Sequence, residues 1–389
     1  MGIAVTQRSH KAKLLRRTRR VVVKVGSSVL SNASGVRQDS IARLVQHLTK
    51  LHHEGKEVVL VTSGAIASGL SRLGLKERPK TIPGKQAAAA VGQIALMALY
   101  ERYFSAGDVR VAQILLTHDD LANRRRYLNA KHTMLTLLAA GVVPIVNEND
   151  TVAVEEIQFG DNDNLSALVA VLIEADLLVI LSDVDGLYDK DPHVSADARL
   201  ISIVEQVNDA LFATAGGAGT LGRGGMVSKL QAAQKAGLSG IPMVIADGRQ
   251  EETLAAVFDP AREVGTLFLP VSDRLTSRKH WIAYTLKPAG ELIVDAGACQ
   301  AIRDRGRSLL PPGVRSVRGL FSEGECVTCL DEKGNPFARG LVNYSSEALE
   351  RIKGVQTNQV EQILGYKISD EVIHRDDLAL LMNFDKQVR

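Results

Sequence analysis

The chain has 389 residues, 45% of them hydrophobic and 23% charged, a globular profile with enough apolar material for two domains at ~100–250 residues each. No run approaches the ~18–20 apolar residues of a membrane span, and no apolar stretch follows the basic N-terminal residues as a secretory signal requires. The three cysteines, Cys299, Cys326 and Cys329, are too few for a disulfide framework, so a cytoplasmic, reducing location is expected.

Net charge is +3, but residues 1–20 hold seven Lys or Arg and no acid, leaving −4 for the remaining 369. Residues 1–19 are therefore expected to form a disordered, solvated basic tail, of a kind that can touch nucleic acid or anionic lipid. Arg20–Val25 is a β-branched run of the type buried in parallel sheets. A helix follows from about Ser40 to His53, with Ile41, Leu44, Val45, Leu48 and Leu51 at helical spacing, Asp39 or Ser40 as cap and Gly55 as stop. Glu57–Val61, Val109–Leu116, Val142–Val146, Leu177–Leu181 and Pro242–Ala246 read as further strands. Between them Ala87–Phe104, Arg125–Ala140, Asn164–Ala175, Glu205–Ala213 and Met226–Ala236 read as helices. Alternation at this rhythm predicts an α/β fold, a mostly parallel sheet sandwiched by helices, over 20–270. Ligands in such sheets gather at the carboxyl ends of the strands. Beyond Pro270 the long helices thin out, and short strands at Glu291–Asp295, Ser316–Leu320, Glu325–Leu330 and Ala338–Val342 predict a second, smaller β-rich domain over 276–389. Cys326 and Cys329 form a CxxC inside one of these strands; with no second pair to complete a zinc site, they read as packed thiols.

Five segments carry the polar chemistry, and four of them sit at strand ends. Lys24-Val25-Gly26-Ser27-Ser28 puts a cation and a glycine turn after the first strand, but it is not a P-loop. Thr62-Ser63-Gly64-Ala65 is a second small, donor-rich turn. Asn147–Asp150 and Asp161–Asn164 together hold eight acidic or amide residues. Helix capping accounts for one or two; the rest suit an amino-acid ligand's ammonium and carboxylate, or Mg²⁺. Ser182-Asp183-Val184-Asp185 follows another strand, as turn formers or as groups facing a nucleotide. Finally Gly216–Met226 is glycine-rich. Gly217, Gly219 and Gly222 match GxGxxG, yet the run follows a helix and lacks the ribose-binding acid, which argues against a dinucleotide oxidoreductase. It reads as a phosphate loop ending on the helix at Met226, with Lys229 one turn inside and Arg223 before it.

These stretches, VVKVGSSVL at 22–30, VTSGAIASG at 61–69, IVNENDTV at 145–152, FGDNDNLSALVA at 159–170 and GRGGMVSKLQAA at 222–233, together resemble the amino acid kinase family, and within it the glutamate 5-kinases. The C-terminal part, with Trp281, Gly290-Glu291, Val294-Asp295, Gly297-Ala298 and Ser308–Pro311, resembles a PUA domain. The resemblance implies ATP and Mg²⁺ as cofactors and phosphorylation of the γ-carboxylate of L-glutamate, the first step of proline biosynthesis. It implies that Lys24 and Lys229 bracket the phosphoryl group and that Asp163 orients them. Ser63, Asp150 and Asn162 would bind glutamate. Lys24, Ser182, Asp183, Arg223, Gly224, Gly225, Met226, Val227, Ser228 and Lys229 would contact ATP. Arg223 stands where the family usually has threonine, so contacts made by that threonine do not carry over. L-Proline is implied as feedback inhibitor, glutamyl-phosphate reductase as a transient partner, and a homo-oligomer as the assembly.

A carboxylate acceptor, with an ordinary pKa of about 4.3, is already ionised at neutral pH and needs no general base; no histidine occurs in the five segments. The difficulty is charge, since an anion must approach a polyanion, and lysines, Mg²⁺ and loop N–H groups answer it. Two alternatives remain open at this stage. One is a kinase of the same fold acting on another carboxylate such as aspartate. The other is a primarily RNA-binding protein using the PUA-like domain, against which stand the few aromatics of residues 276–389 and the placement of the basic segment at the opposite end of the chain.

Overall fold

A computed structural model describes residues 2–32, 35–75, 77–153, 162–192, 194–195, 197–215, 225–271, 279, 282–283 and 286–381. The chain divides into two compact units, a larger one of residues 1–123 and 129–272 and a smaller one of residues 124–128 and 273–389. Trp281, Arg223 and Gly224 lie outside the described residues.

The N-terminal segment corrects the expectation of a disordered tail: Gly2–Arg17 is a helix, α1. Lys11 is buried and donates from Nζ to the carbonyls of Ala256, at 2.8 Å, and Arg262, at 2.5 Å. Leu14 and Leu15 pack against the apolar core. Burial, only partly offset by Asp259, lowers the Lys11 ammonium to about 8. A run of basic residues thus becomes ordered through one buried lysine and two leucines, a pattern too sparse to read as amphipathic.

The larger unit is built on β1 (Arg20–Val25), β2 (Glu57–Val61), β3 (Arg110–Leu116), β4 (Val142–Glu148), β5 (Leu177–Ser182), β6 (Ile203–Val204), β7 (Met243–Asp247) and β8 (Thr266–Phe268). They form one sheet in the order β6-β8-β7-β5-β1-β2-β4-β3. Every neighbouring pair is parallel except β7 and β8. The unit's longer helices include α2 (Gln38–His53), α3 (Ala65–Arg72), α4 (Ile82–Ser105), α5 (Arg124–Ala139, whose first five residues group with the smaller unit), α6 (Asn162–Leu172) and α7 (Met226–Leu238), and a short one is α8 (Thr253–Phe258). α2 starts two residues before its expected position, with Arg37 and not Asp39 or Ser40 at the cap. β1 lies between β2 and β5, and Val22 pairs with both Val59 and Leu178. The chain leaves β1 toward β2 on one side and fills β5 and β7 on the other. This reversal opens a crevice at the carboxyl end of β1. Val21, Val23 and Val25 enter the main core, and alternation places Val22 and Lys24 on the opposite face.

α3 and α4 cross at very short range. A Cβ on Gly92 would lie 1.8 Å from Ala65 O, and one on Gly69 would lie 1.8 Å from Ala88 O. Glycine is needed here for close approach of backbones.

The smaller unit has a five-stranded sheet, β10-β9-β11-β12-β13, from β9 (Gly290–Val294), β10 (Val314–Gly319), β11 (Cys326–Leu330), β12 (Pro336–Leu341) and β13 (Leu378–Leu380). The sheet agrees with the β-rich domain expected from sequence, and helices accompany it, among them α9 (Ala296–Arg305) and α10 (Ser346–Ile352). Asp295, expected as the end of a strand, instead caps α9 by accepting from Ala298 N at 2.8 Å. All three cysteines are buried and none forms a disulfide, and burial pushes the Cys329 thiol up to about 12.

Two helix glycines should respond in opposite directions. Gly92→Ala must displace backbone and is expected to cost about 1–3 kcal/mol or more. Gly237→Ala in α7 meets nothing closer than 3.7 Å and is expected to gain about 0.5–1 kcal/mol from helix propensity. Urea denaturation midpoints of the two variants check both signs.

Candidate active site

Polar groups line the carboxyl ends of the strands on both sides of β1. On the β2–β4 side, Gly64 at φ +105° turns the chain from β2 into α3 and leaves Ser63 at the strand end. The two hydrogens of Asn162 Nδ2 are shared among three acceptors, Thr62 O at 2.6 Å, Ser63 Oγ at 2.8 Å and Asn147 Oδ1 at 3.1 Å. Asn147, at the end of β4, in turn donates from Nδ2 to Gln93 Oε1 at 2.9 Å. Thr62 Oγ1 lies 2.7 Å from the buried Tyr100 hydroxyl. The structure therefore joins two residues singled out in the sequence, Ser63 and Asn162. Asp150 hydrogen-bonds to neither among the described residues. It is half-buried beside Glu148, and burial raises its carboxyl against the opposing pull of Arg78. Burial and the Asp150 charge push Glu148 up to about 7.

On the β5–β7 side, Ser182 is buried, and its Oγ donates to Asp183 Oδ1 at 3.1 Å. Asp247, its partner across the sheet, takes Arg249 through Nε and Nη2, each at 2.9 Å. α7 begins after Gly225 with no side-chain cap, so the first-turn N–H groups of Met226, Val227 and Ser228 lack intrahelical partners. Gly26 leaves open a space next to the first lysine; a Cβ there would sit 3.8 Å from Lys24 Nζ.

Asp163 connects the halves. Its carboxylate is fully buried, with Oδ1 on Lys24 Nζ and Oδ2 3.1 Å from Lys229 Nζ and 3.0 Å from Ser228 Oγ. Lys24 and Lys229 are themselves only 5% and 4% exposed. α6 starts at Asn162, so Asp163 is not the helix cap its sequence position suggests. Burial opposes its ionisation, but the Lys24 and Lys229 ammoniums outweigh burial and hold its carboxyl below the ordinary range. The cluster carries two positive charges and one negative away from water, a surplus suited to a phosphoryl anion.

Sequence reasoning missed Asn147 as an individual contact, and it missed Gln93 and Tyr100 altogether. The available signal was a polar side chain amid the Ala-rich stretch 87–100 of a buried helix.

Residues 19–247 match the amino acid kinase family and residues 290–364 the PUA domain. The chain belongs to the amino acid kinase family. Glutamate 5-kinase from Geobacter sp. (strain M21) is 52% identical over 373 residues, covering 95% of this chain and 100% of that protein. Glutamate 5-kinase from Caldanaerobacter subterraneus subsp. tengcongensis is 50% identical over 369 residues, covering 94% and 99%. Within the family, the chain belongs to the glutamate 5-kinase group.

Asp163→Ala would leave two buried ammoniums facing each other and is expected to destabilise the larger unit by about 3–5 kcal/mol, read from chemical denaturation at pH 7. The Asp163 contribution is fully present above the unfolded carboxylate pKa and is lost as pH falls through the depressed folded value, so the gap between wild type and Asp163→Asn should narrow in acid. Glu148 has the opposite sign. With its folded pKa raised from 4.5 to about 7, it removes stability as pH rises across that window, and Glu148→Gln should flatten that part of the stability–pH curve.

Proposed function

We propose that the chain transfers the γ-phosphoryl group of ATP to the side-chain carboxylate of L-glutamate, giving an acyl phosphate, as the first step toward proline. The carrying observation is the Lys24–Asp163–Lys229 cluster, drawn from β1, α6 and α7 and lying between two sets of ligand-binding groups. Ser63, Asn162 and Asp150 form the acceptor side. Ser182, Asp183 and the first turn of α7 form the nucleotide side, joined by Arg223 and Gly224, which the resemblance assigns there.

Lys24, at the end of the central strand, neutralises charge where acceptor and donor meet. Lys229 does so from the helix side, next to the exposed N–H groups of the α7 terminus. Asp163 keeps both ammoniums converged without cancelling their sum. The acceptor carboxylate needs no proton removed, and the groups at the junction are a carboxylate, ammoniums and hydroxyls, with no histidine. Catalysis on this reading consists of positioning and charge compensation. Among the described residues there is no cluster of three or more metal-ligating side chains. A Mg²⁺ ion would accordingly take its ligands mainly from phosphate oxygens and water, its usual preference, and would supply further charge neutralisation.

L-Proline carries the same α-carboxylate and an ammonium, which suits it to the acceptor side as an inhibitor. The acyl phosphate is short-lived in water and calls for a reductase, glutamyl-phosphate reductase, to consume it promptly. A cytoplasmic homo-oligomer is the natural setting.

Hydroxylamine trapping with Mg-ATP checks the proposal, because hydroxamate forms only from a phosphorylated carboxylate. A glutamate-dependent signal is expected, lowered by proline and reduced about 100–1000-fold in Lys229→Ala. A signal with aspartate in place of glutamate would overturn the acceptor, and a signal with none would overturn the activity.

A further inference from the structure

α4 presents two polar side chains on an otherwise apolar buried face. Gln93 and Tyr100 are seven residues, about two turns, apart and share that face. Tyr100 supports Thr62, and Gln93 supports Asn147. Neither is close enough in sequence to the acceptor groups to be seen as part of them.

The carboxamides on this side form a chain with a definite sense. Gln93 Oε1 accepts from Asn147 Nδ2, and Asn147 Oδ1 accepts from Asn162 Nδ2. Asn162 Nδ2 also donates to Ser63 Oγ and Thr62 O. Ser63 Oγ is thus held as an acceptor toward Asn162, and its own proton remains for a ligand. Asn162 uses its nitrogen within the protein and keeps Oδ1 as an acceptor. Reversing the Asn147 carboxamide would set N–H against N–H and turn the pair over. Asn147 is only 2% exposed, so its Nδ2 needs a protein acceptor, and Gln93 Oε1 supplies it. The arrangement has a cost at Gln93, which is 8% exposed and whose Nε2 is buried with no hydrogen-bond partner among the described residues. An apolar side chain of similar shape would avoid that cost. Packing alone therefore does not account for a glutamine at this position.

We propose that Gln93 is a positioning residue for phosphoryl acceptance. Together with Thr62 O, which holds Asn162 Nδ2 as a donor, it fixes the donor–acceptor sense of Asn147 and Asn162, so that Ser63 offers a proton to a ligand carboxylate and Asn162 offers an oxygen to a ligand ammonium. The proposal rests on the acceptor reading given above. It confers preference for an α-amino acid zwitterion over a ligand lacking either charge.

Steady-state kinetics on the full chain tests it. Gln93→Leu is expected to raise KM for glutamate about tenfold, the effect of one misdirected hydrogen bond, with KM for ATP unchanged. Gln93→Asn, one methylene too short to reach Asn147, should raise KM for glutamate likewise and stands in if the leucine variant does not fold. Gln93→Glu, which can only accept when ionised, should restore the glutamate KM to within a few-fold of wild type. The double variant Gln93→Leu/Asn162→Ala should be little worse than Asn162→Ala alone, whereas a merely structural glutamine would give additive losses. A glutamate KM unchanged in Gln93→Leu and Gln93→Asn but raised in Asn162→Ala would overturn the role of Gln93. A KM unchanged in Asn162→Ala as well would instead overturn the acceptor reading beneath it.

Discussion

The site depends on one carboxylate, Asp163, kept ionised in a dry place by two lysines. Burial by itself would protonate it, and the two ammoniums outweigh burial. Each partner would be costly alone, and together they leave one net positive charge with nowhere to disperse. That surplus fixes where an anion gains most. Polar side chains gather at strand ends on both sides of β1, where the strand order reverses. β1 is paired along nearly its whole length on both edges, so the Lys24 backbone is the most constrained part of the site. Lys229 sits on a helix and has the freedom of that helix.

The alternation of strands and helices was legible because parallel strands buried on both faces are apolar along most of their length, as Val21–Val23, Leu177–Leu181 and Met243–Ala246 are. Ser63, Asn162, Lys24 and Lys229 were singled out because each lies at a strand end or close to a glycine turn. Less legible was anything depending on a single polar side chain within an apolar element. Gln93 and Tyr100 look like interruptions of a helix face, and only the fold shows that they meet Asn147 and Thr62. α9 escaped because its first turn is Ala-Gly-Ala and it buries only Cys299 and Ile302, too few apolar positions for a periodic signal. α1 escaped because its charge pattern matched a solvated tail, whereas its anchoring rests on Lys11, Leu14 and Leu15.

Polar residues and glycines divide the work around α4. Gly92 and Gly69 let α3 and α4 approach until backbone nearly meets backbone. One residue along from Gly92, Gln93 is thereby carried to the level of Asn147. The turn after β2 is consequently held by Tyr100 of α4 and by Asn162 of α6, and neither hold comes from a residue adjacent to it in sequence.

The anchoring of α1 bears on how the chain is made. Lys11 finds its two acceptor carbonyls on Ala256 and Arg262, 245 and 251 residues further on. At ribosomal rates of about 5–20 residues per second, roughly 12–50 s pass between synthesis of the lysine and synthesis of its partners. Throughout that interval a cationic segment with two leucines is without its docking surface and within reach of the polyanionic ribosome. The contact that anchors α1 can therefore form only after Arg262 has been made.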